Sequence, residues 1–172
     1  PDGFENIGRD AFKDCSALEN ILLPNSVDMI NHGAFSGCTK LKEIELPDSV
    51  KDIGYFAFAN CTSLEKVKLP EQLPVIEETL FYSCINLKSI TIPSNVDNIK
   101  KEAFSHCDSL QTIYFTGDAP TIEDNVFDGV TATAYYPQDA SGWENAIRNQ
   151  YGGKITWKTK DYGAQEETRK GT

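Results

Sequence analysis

The apolar positions of this chain recur with one fixed period. Phe12, Phe35, Phe58, Phe81, Phe104 and Phe127 are each 23 residues apart, and so are Cys15, Cys38, Cys61, Cys84 and Cys107. The columns between them keep the same register. Leu18, Leu41, Leu64, Leu87 and Leu110 form one, and Ile21, Ile44, Val67, Ile90 and Ile113 form the next. Leu23, Leu46, Leu69, Ile92 and Phe115 follow, then Pro24, Pro47, Pro70 and Pro93, a run that Thr116 breaks. Val27, Val50, Leu73 and Val96 precede a column of Ile7, Ile30, Ile53, Ile76, Ile99 and Ile122. The unit reads LxxIxLPxxVxxIxxxAFxxCxx, as in Leu41 to Ser63. A period in the twenties marks a solenoid, in which no repeat can bury its apolar face alone.

Each unit predicts three parts. Ile44 and Leu46 alternate with Glu43 and Glu45, the period of a half-buried strand. Pro47 ends it, because proline cannot donate to a ladder. Val50 and Ile53, three apart, predict a second short extended or turning segment. Ala57, Phe58 and Cys61 predict a single helical or 3₁₀ turn. Equivalent strands of successive coils then run parallel, about 4.8 Å apart, and stacking buries a continuous ribbon of Leu, Ile, Phe and Cys.

This pattern resembles the BspA-type leucine-rich repeats of bacterial surface proteins. The LPxxVxxI and AFxxC motifs carry the resemblance over about residues 1–137. The third repeat departs, with Leu80 in the alanine column and Glu77 and Glu78 after Ile76. The sixth departs further, with Val126 for alanine and Val130 for cysteine. The resemblance implies a curved parallel solenoid and a role in adhesion or host-component binding. The expected fold is a leucine-rich-repeat-type parallel β-solenoid of 23-residue coils with a small C-terminal α/β cap.

The repeat decays after Val130. Tyr135 and Tyr136 fall near the strand position, but Thr133 stands in the leucine column. Ser141 is expected to cap a helix from Gly142 to about Tyr151, since serine favours that place. Trp143, Ala146, Ile147 and Gln150 or Tyr151 would share one face, and Gly152 and Gly153 would stop the helix. Lys154 to Trp157 reads as a last strand. The organisation expected is a solenoid over 1–137 with five to six repeats, a cap over 138–160 and a flexible tail over 161–172. Trp143, Ile147, Ile155 and Trp157 would cover the last coil; an aromatic segment can also be a ligand site, but a solenoid end requires a cover. Pro1 falls in the Pro24 column, so the chain is read as a piece of a longer protein, with export encoded upstream.

Composition narrows the function classes. The chain has 172 residues and a net charge of −10, which argues against nucleic acid, a partner that demands a positive footprint, and against an anionic membrane surface. No stretch approaches the roughly 18 apolar residues of a membrane helix, so membrane insertion is not expected. The cysteines form a line rather than a point, whereas a metal site needs converging ligands. They are read as buried, reduced thiols in a column that wants a small hydrophobe. His32 and His106 lie in different columns three coils apart and cannot share a site. No phosphate loop, calcium loop or HExxH appears. No catalytic residue, metal ligand or cofactor is therefore expected, and the chain is read as a monomer and not an enzyme.

The outward face of the strand ribbon is the informative surface. One outward column reads Asn20, Glu43, Lys66, Ser89, Thr112, and a second reads Leu22, Glu45, Lys68, Thr91, Tyr114. Glu43 can face Lys66, and Glu45 can face Lys68, as lateral ion pairs. A third column alternates sign as Glu19, Lys42, Glu65, Lys88, Gln111. Such charges serve either as register support or as a recognition strip. Leu22 and Tyr114 are the stronger binding candidates, because interfaces favour exposed apolar and aromatic groups. Tyr55 and Phe56, in the turn before the Ala-Phe pair, form a second candidate that either contacts a partner or folds over the flank. The expected function is a non-enzymatic binding or adhesion module of an extracellular or cell-surface bacterial protein. It would engage a host or matrix protein or glycan. The alternative is a spacer that presents another domain and binds nothing.

Overall fold

A computed structural model of the chain describes residues 3–163; the place of Pro1 and all but the start of the expected tail lie outside them. The chain forms twelve short strands and one helix among the described residues. In order they are β1 (Asn6–Ile7), β2 (Met29–Ile30), β3 (Glu43–Glu45), β4 (Asp52–Ile53), β5 (Lys66–Lys68) and β6 (Val75–Ile76). Then come β7 (Ser89–Ile92), β8 (Asn98–Ile99), β9 (Thr112–Phe115), β10 (Thr121–Ile122), β11 (Thr131–Pro137), α1 (Trp143–Ala146) and β12 (Lys154–Lys160). Every pairing is parallel, and all but that of β9 with β11 keep the predicted 23-residue register. Glu43, Ile44 and Glu45 lie opposite Lys66, Val67 and Lys68. Ser89 through Ile92 lie opposite Thr112 through Phe115. The second segment of each coil forms its own ribbon, with β1, β2 and β4 in one sheet and β6, β8 and β10 in another. This is the parallel β-solenoid that the periodicity demands.

The third part of the unit closes with 3₁₀-type bonds, one of the two forms expected, and not as a continuous helix. Ala59 N–H donates to Phe56 O at 3.1 Å, Cys61 N–H to Phe58 O at 3.3 Å and Leu64 N–H to Cys61 O at 3.1 Å. These are three-residue closures, but they never join into a helix because left-handed residues interrupt them. One such column holds Asp10, Gly33, Phe56, Thr79, Glu102 and Asn125; the other holds Asp14, Gly37, Asn60, Ser83, His106 and Gly129. Two positive-φ residues per coil turn the chain sharply enough to aim its amides at the next coil. Phe35 N–H thus donates forward to Ala57 O (2.8 Å), and Phe81 N–H to Ala103 O (2.8 Å). In the strand ribbons the bonds run both ways: Lys51 N–H donates back to Asp28 O (2.8 Å) and Glu123 N–H to Ile99 O (3.0 Å), while Leu46 N–H donates forward to Lys68 O (3.1 Å).

Phenylalanine and cysteine fill these corners. The six rings stack along the solenoid with centroids 5.2 to 6.0 Å apart. All but Phe12 are fully buried. The cysteine is more than a small hydrophobe. Cys61 Sγ donates to Phe35 O, Cys84 Sγ to Phe58 O and Cys107 Sγ to Phe81 O, each at 3.1 Å. Phe35 O also accepts the Cys38 amide at 3.2 Å, so one carbonyl ties two coils. All five cysteines are free. Burial pushes the Cys38 thiol up to about 11 and the Cys107 thiol to about 12, and raises Cys61 and Cys84 as well.

At the C-terminal end the aromatic cover forms as expected, by a different route. Trp143 and Ile155 are buried, and Ile147 and Trp157 pack against the core. The helix spans four residues instead of the expected nine or ten, and its N-cap is Gly142 at φ 87°, not Ser141. Ser141 is held elsewhere, its carbonyl accepting from Ala119 N–H at 2.9 Å. Tyr151 Oη takes the Ala146 carbonyl at 2.8 Å, and Trp157 Nε1 takes Asn149 O at 3.1 Å. Side chains of the cap thus consume acceptors that a longer helix would use. β12 runs three residues beyond the predicted strand, pairing with β11 from Thr131 to Pro137.

Two outcomes follow. A buried neutral thiol favours the folded state only while thiols stay protonated. The unfolded chain loses its protons near 8.5, well before the folded one. Stability is therefore full below about pH 8.5 and falls as pH rises toward 11, by up to about 1.4 kcal/mol per pH unit for each thiol. Urea midpoints measured from pH 7 to 10.5 should show this fall, and Cys61→Val, which folds because Val130 already fills that column, should show a shallower one. Thr79 is a β-branched residue at φ 56°, where the left-handed backbone costs roughly 1–2 kcal/mol. Glycine's extra chain entropy returns part of that. Thr79→Gly should therefore gain about 0.5–1 kcal/mol, read as a raised Tm.

Candidate functional site

The outward side chains of β3, β5 and β7 rim a shallow depression of about 490 Å³, lined by Leu22, Glu43, Glu45, Lys66, Lys68 and Thr91 among others. Six of the eight residues expected to contact a partner lie on the strand face, and five of them line this one surface. Glu45 pairs with Lys68 at 3.4 Å across β3 and β5. Glu65 pairs with Lys88 at 3.5 Å in the third column. Glu43 lies opposite Lys66 in register, but the two make no ion pair within 4.0 Å. Leu22 is 97% exposed, on a coil segment that forms no strand of its own.

Tyr114, the sixth, is not the free aromatic that its column suggested. It is half-buried, because the repeat shortens by two residues after β9. Thr133, Ala134 and Tyr135 lie opposite Thr112, Ile113 and Tyr114. That slip stacks Tyr135 on Tyr114 at 5.5 Å and 14°. Lys160 then places its ammonium 5.3 Å from the Tyr114 ring, 5.8 Å from Tyr135 and 5.6 Å from Tyr162. Such cation–π contacts hold the end of β12 down on the strand face. Burial raises the Tyr162 hydroxyl, with Tyr114 beside it as a lesser cause. The periodic pattern carries no signal for Tyr135, Lys160 or Tyr162, which lie where the pattern fails.

Tyr55 and Phe56 occupy the corner, apart from the strand face. Tyr55 is 45% exposed and stacks on His32 at 4.2 Å and 11°. Its amide donates to His32 Nδ1 at 2.9 Å. Phe56 is half-buried at φ 43°. Its ring packs where Gly33 leaves room, since a Cβ on Gly33 would meet Phe56 Cε2 at 2.9 Å. A depression of about 320 Å³ lies beside Phe56, Thr79 and Tyr82. The two candidate surfaces therefore do not merge.

A larger depression, about 670 Å³, lies at the cap, between β10 and α1; Asp124, Asn125, Asn145, Asn149 and Tyr151 line part of it. The sequence pattern gave no sign of it. Among the described residues no group of three or more His, Cys, Asp or Glu side chains is placed to hold a metal ion, and no helix is long and apolar enough to cross a membrane.

Comparison with known proteins agrees with this fold. A family model described as the BspA type leucine rich repeat region matches residues 5–133 in six copies. No curated protein matches the chain. Solved structures do. A leucine rich cell surface protein of Faecalibacterium prausnitzii is 29% identical at a TM-score of 0.56, over 84% of this chain and 33% of that one. A leucine-rich repeat protein of T. pallidum is 28% identical at a TM-score of 0.69, over 91% of this chain and 81% of the other. One from Bacteroides ovatus is 29% identical at a TM-score of 0.57, over 79% and 48%. The chain thus spans about a third of the F. prausnitzii protein and about half of the B. ovatus one.

The Glu45–Lys68 pair is solvated on both sides, with side chains 76% and 57% exposed. A double-mutant cycle with Glu45→Ala and Lys68→Ala should return a coupling below about 1 kcal/mol, shrinking further in 0.5 M salt. A larger coupling would mean that the pair organises the face rather than decorating it.

Proposed function

Since the chain belongs to the BspA-type leucine-rich repeat family, we propose that it is a non-enzymatic binding module of a secreted or cell-surface bacterial protein, engaging a host or matrix protein or glycan through its outward strand face. The observation that carries this reading is the strand-face depression itself. It gathers an almost fully exposed leucine and a mixed set of charges onto one rigid parallel ribbon. Repeat solenoids use such extended faces for recognition, and an apolar anchor rimmed by polar groups is how interfaces are built. The F. prausnitzii relative, titled a cell surface protein, supports the location.

The spacer reading has one observation of its own. Glu45–Lys68 and Glu65–Lys88 join neighbouring coils laterally, and Lys160 covers the one aromatic pair on the face. Charges spent on the chain's own register need no ligand.

Direct binding to an array of matrix glycoproteins and glycans at physiological salt separates the two. The native chain should bind at least one component saturably, and a Leu22→Ala/Glu45→Ala/Lys68→Ala variant should bind it at least tenfold more weakly. No saturable binding at all would favour the spacer.

A further inference from the structure

The last coil of the solenoid leaves a sheet edge open, and that edge faces the 670 Å³ depression at the cap. Within each sheet of the second ribbon, the next coil's amides satisfy the carbonyls. Ile76 O accepts from Lys100 N–H at 2.9 Å, and Ile99 O accepts from Glu123 N–H at 3.0 Å. One step earlier in the same strands, Pro74 O accepts from Asp97 N–H and Asp97 O from Thr121 N–H, each at 2.9 Å. The next coil would pair with Pro120 O and Ile122 O. It departs instead. The chain follows β10 as far as Gly142, leaves through α1, and returns where Phe127 N–H meets Tyr151 O at 2.9 Å. Among the described residues nothing donates to Pro120 O or Ile122 O. Ile122 is half-buried, whereas Ile30, Ile53, Ile76 and Ile99 in its column are buried.

We propose that this cleft binds an extended peptide segment of a partner protein, which adds as a parallel strand to β10. Two carbonyls two residues apart stand about 6.6 Å from one another along a strand, the spacing of alternate amides in an extended peptide, and main-chain pairing of this kind is a general mode of peptide capture. Asp124 is the one charged residue lining the cleft, on a chain of net charge −10, so the preferred segment carries a lysine or arginine beside that carboxylate. Ile122 supplies an apolar contact for an alternate side chain. Asn145 and Asn149, one turn apart at the rim, offer amides to the peptide's outer edge. A cleft of this volume lies within the range of ordinary ligand sites.

The probe is a fluorescein-labelled hexapeptide of alternating threonine and valine with one lysine, followed by anisotropy against the whole chain. It should bind saturably. N-methylation of one alternate set of amides should weaken it roughly tenfold or more, as loss of two hydrogen bonds implies, while methylation of the other set should change it little. Asp124→Lys, on an exposed side chain, should weaken the peptide while leaving the circular dichroism spectrum unchanged. The Leu22→Ala/Glu45→Ala/Lys68→Ala variant should bind it normally, which separates this site from the strand face. Absence of binding, equal sensitivity to both methylation patterns, tighter binding of neutral oligosaccharides, or self-association in sedimentation that consumes the cleft would each overturn the proposal.

Discussion

The rest of this molecule depends on the stack of phenylalanine corners, at four of which one carbonyl serves two coils at once. Phe35 O takes the Cys38 amide within its own coil and the Cys61 thiol of the next, and the same arrangement recurs at Phe12, Phe58 and Phe81. The rings stack with centroids 5.2 to 6.0 Å apart, and at that spacing the thiol of one coil meets the carbonyl of its neighbour at 3.1 Å. Core rings of this size contribute about 3–5 kcal/mol each against truncation to alanine. The weak thiol bond adds little energy beside that. Its contribution is alignment: it removes the freedom of one coil to slide over another.

The corner also explains why cysteine and not serine holds this column. A hydroxyl would make the stronger bond but would bring an additional acceptor into a region with nothing to donate to it, and burial without a partner is costly. Sulfur is apolar enough to be buried and polar enough to mark the carbonyl. Val130 ends the series in the sixth repeat, the last corner before the cap.

The periodic part of the fold was open to reading because six copies average away the noise of any one. Ile44 against Val67 and Ile90 against Ile113 follow from counting alone. What counting missed lies in conformations with no compositional mark. The left-handed columns hold Asp, Phe, Thr, Glu and His beside glycine, since the stack overrides local preference. The end of the chain was harder. A slip of two residues puts Tyr135 on Tyr114, and with it the most inviting aromatic of the strand face is covered by Lys160. Leu22, Glu45 and Lys68 could be placed on the strand face by counting because they sit inside the periodic region. The cleft beside β10 was not, because it is made by a coil's departure, and a pattern search sees only what recurs.

Most of the hydrogen bonds named above join one coil to the next, some pointing forward and some back. A pull applied along the solenoid axis would load them a coil at a time, as a zipper is opened, and not all together as when a sheet is sheared. Each coil released would let out 23 residues, about 80 Å of extended chain. Anchored at one end and held at the other, such a chain would lengthen in equal steps, and its unopened coils would keep their shape and their surfaces while it did so.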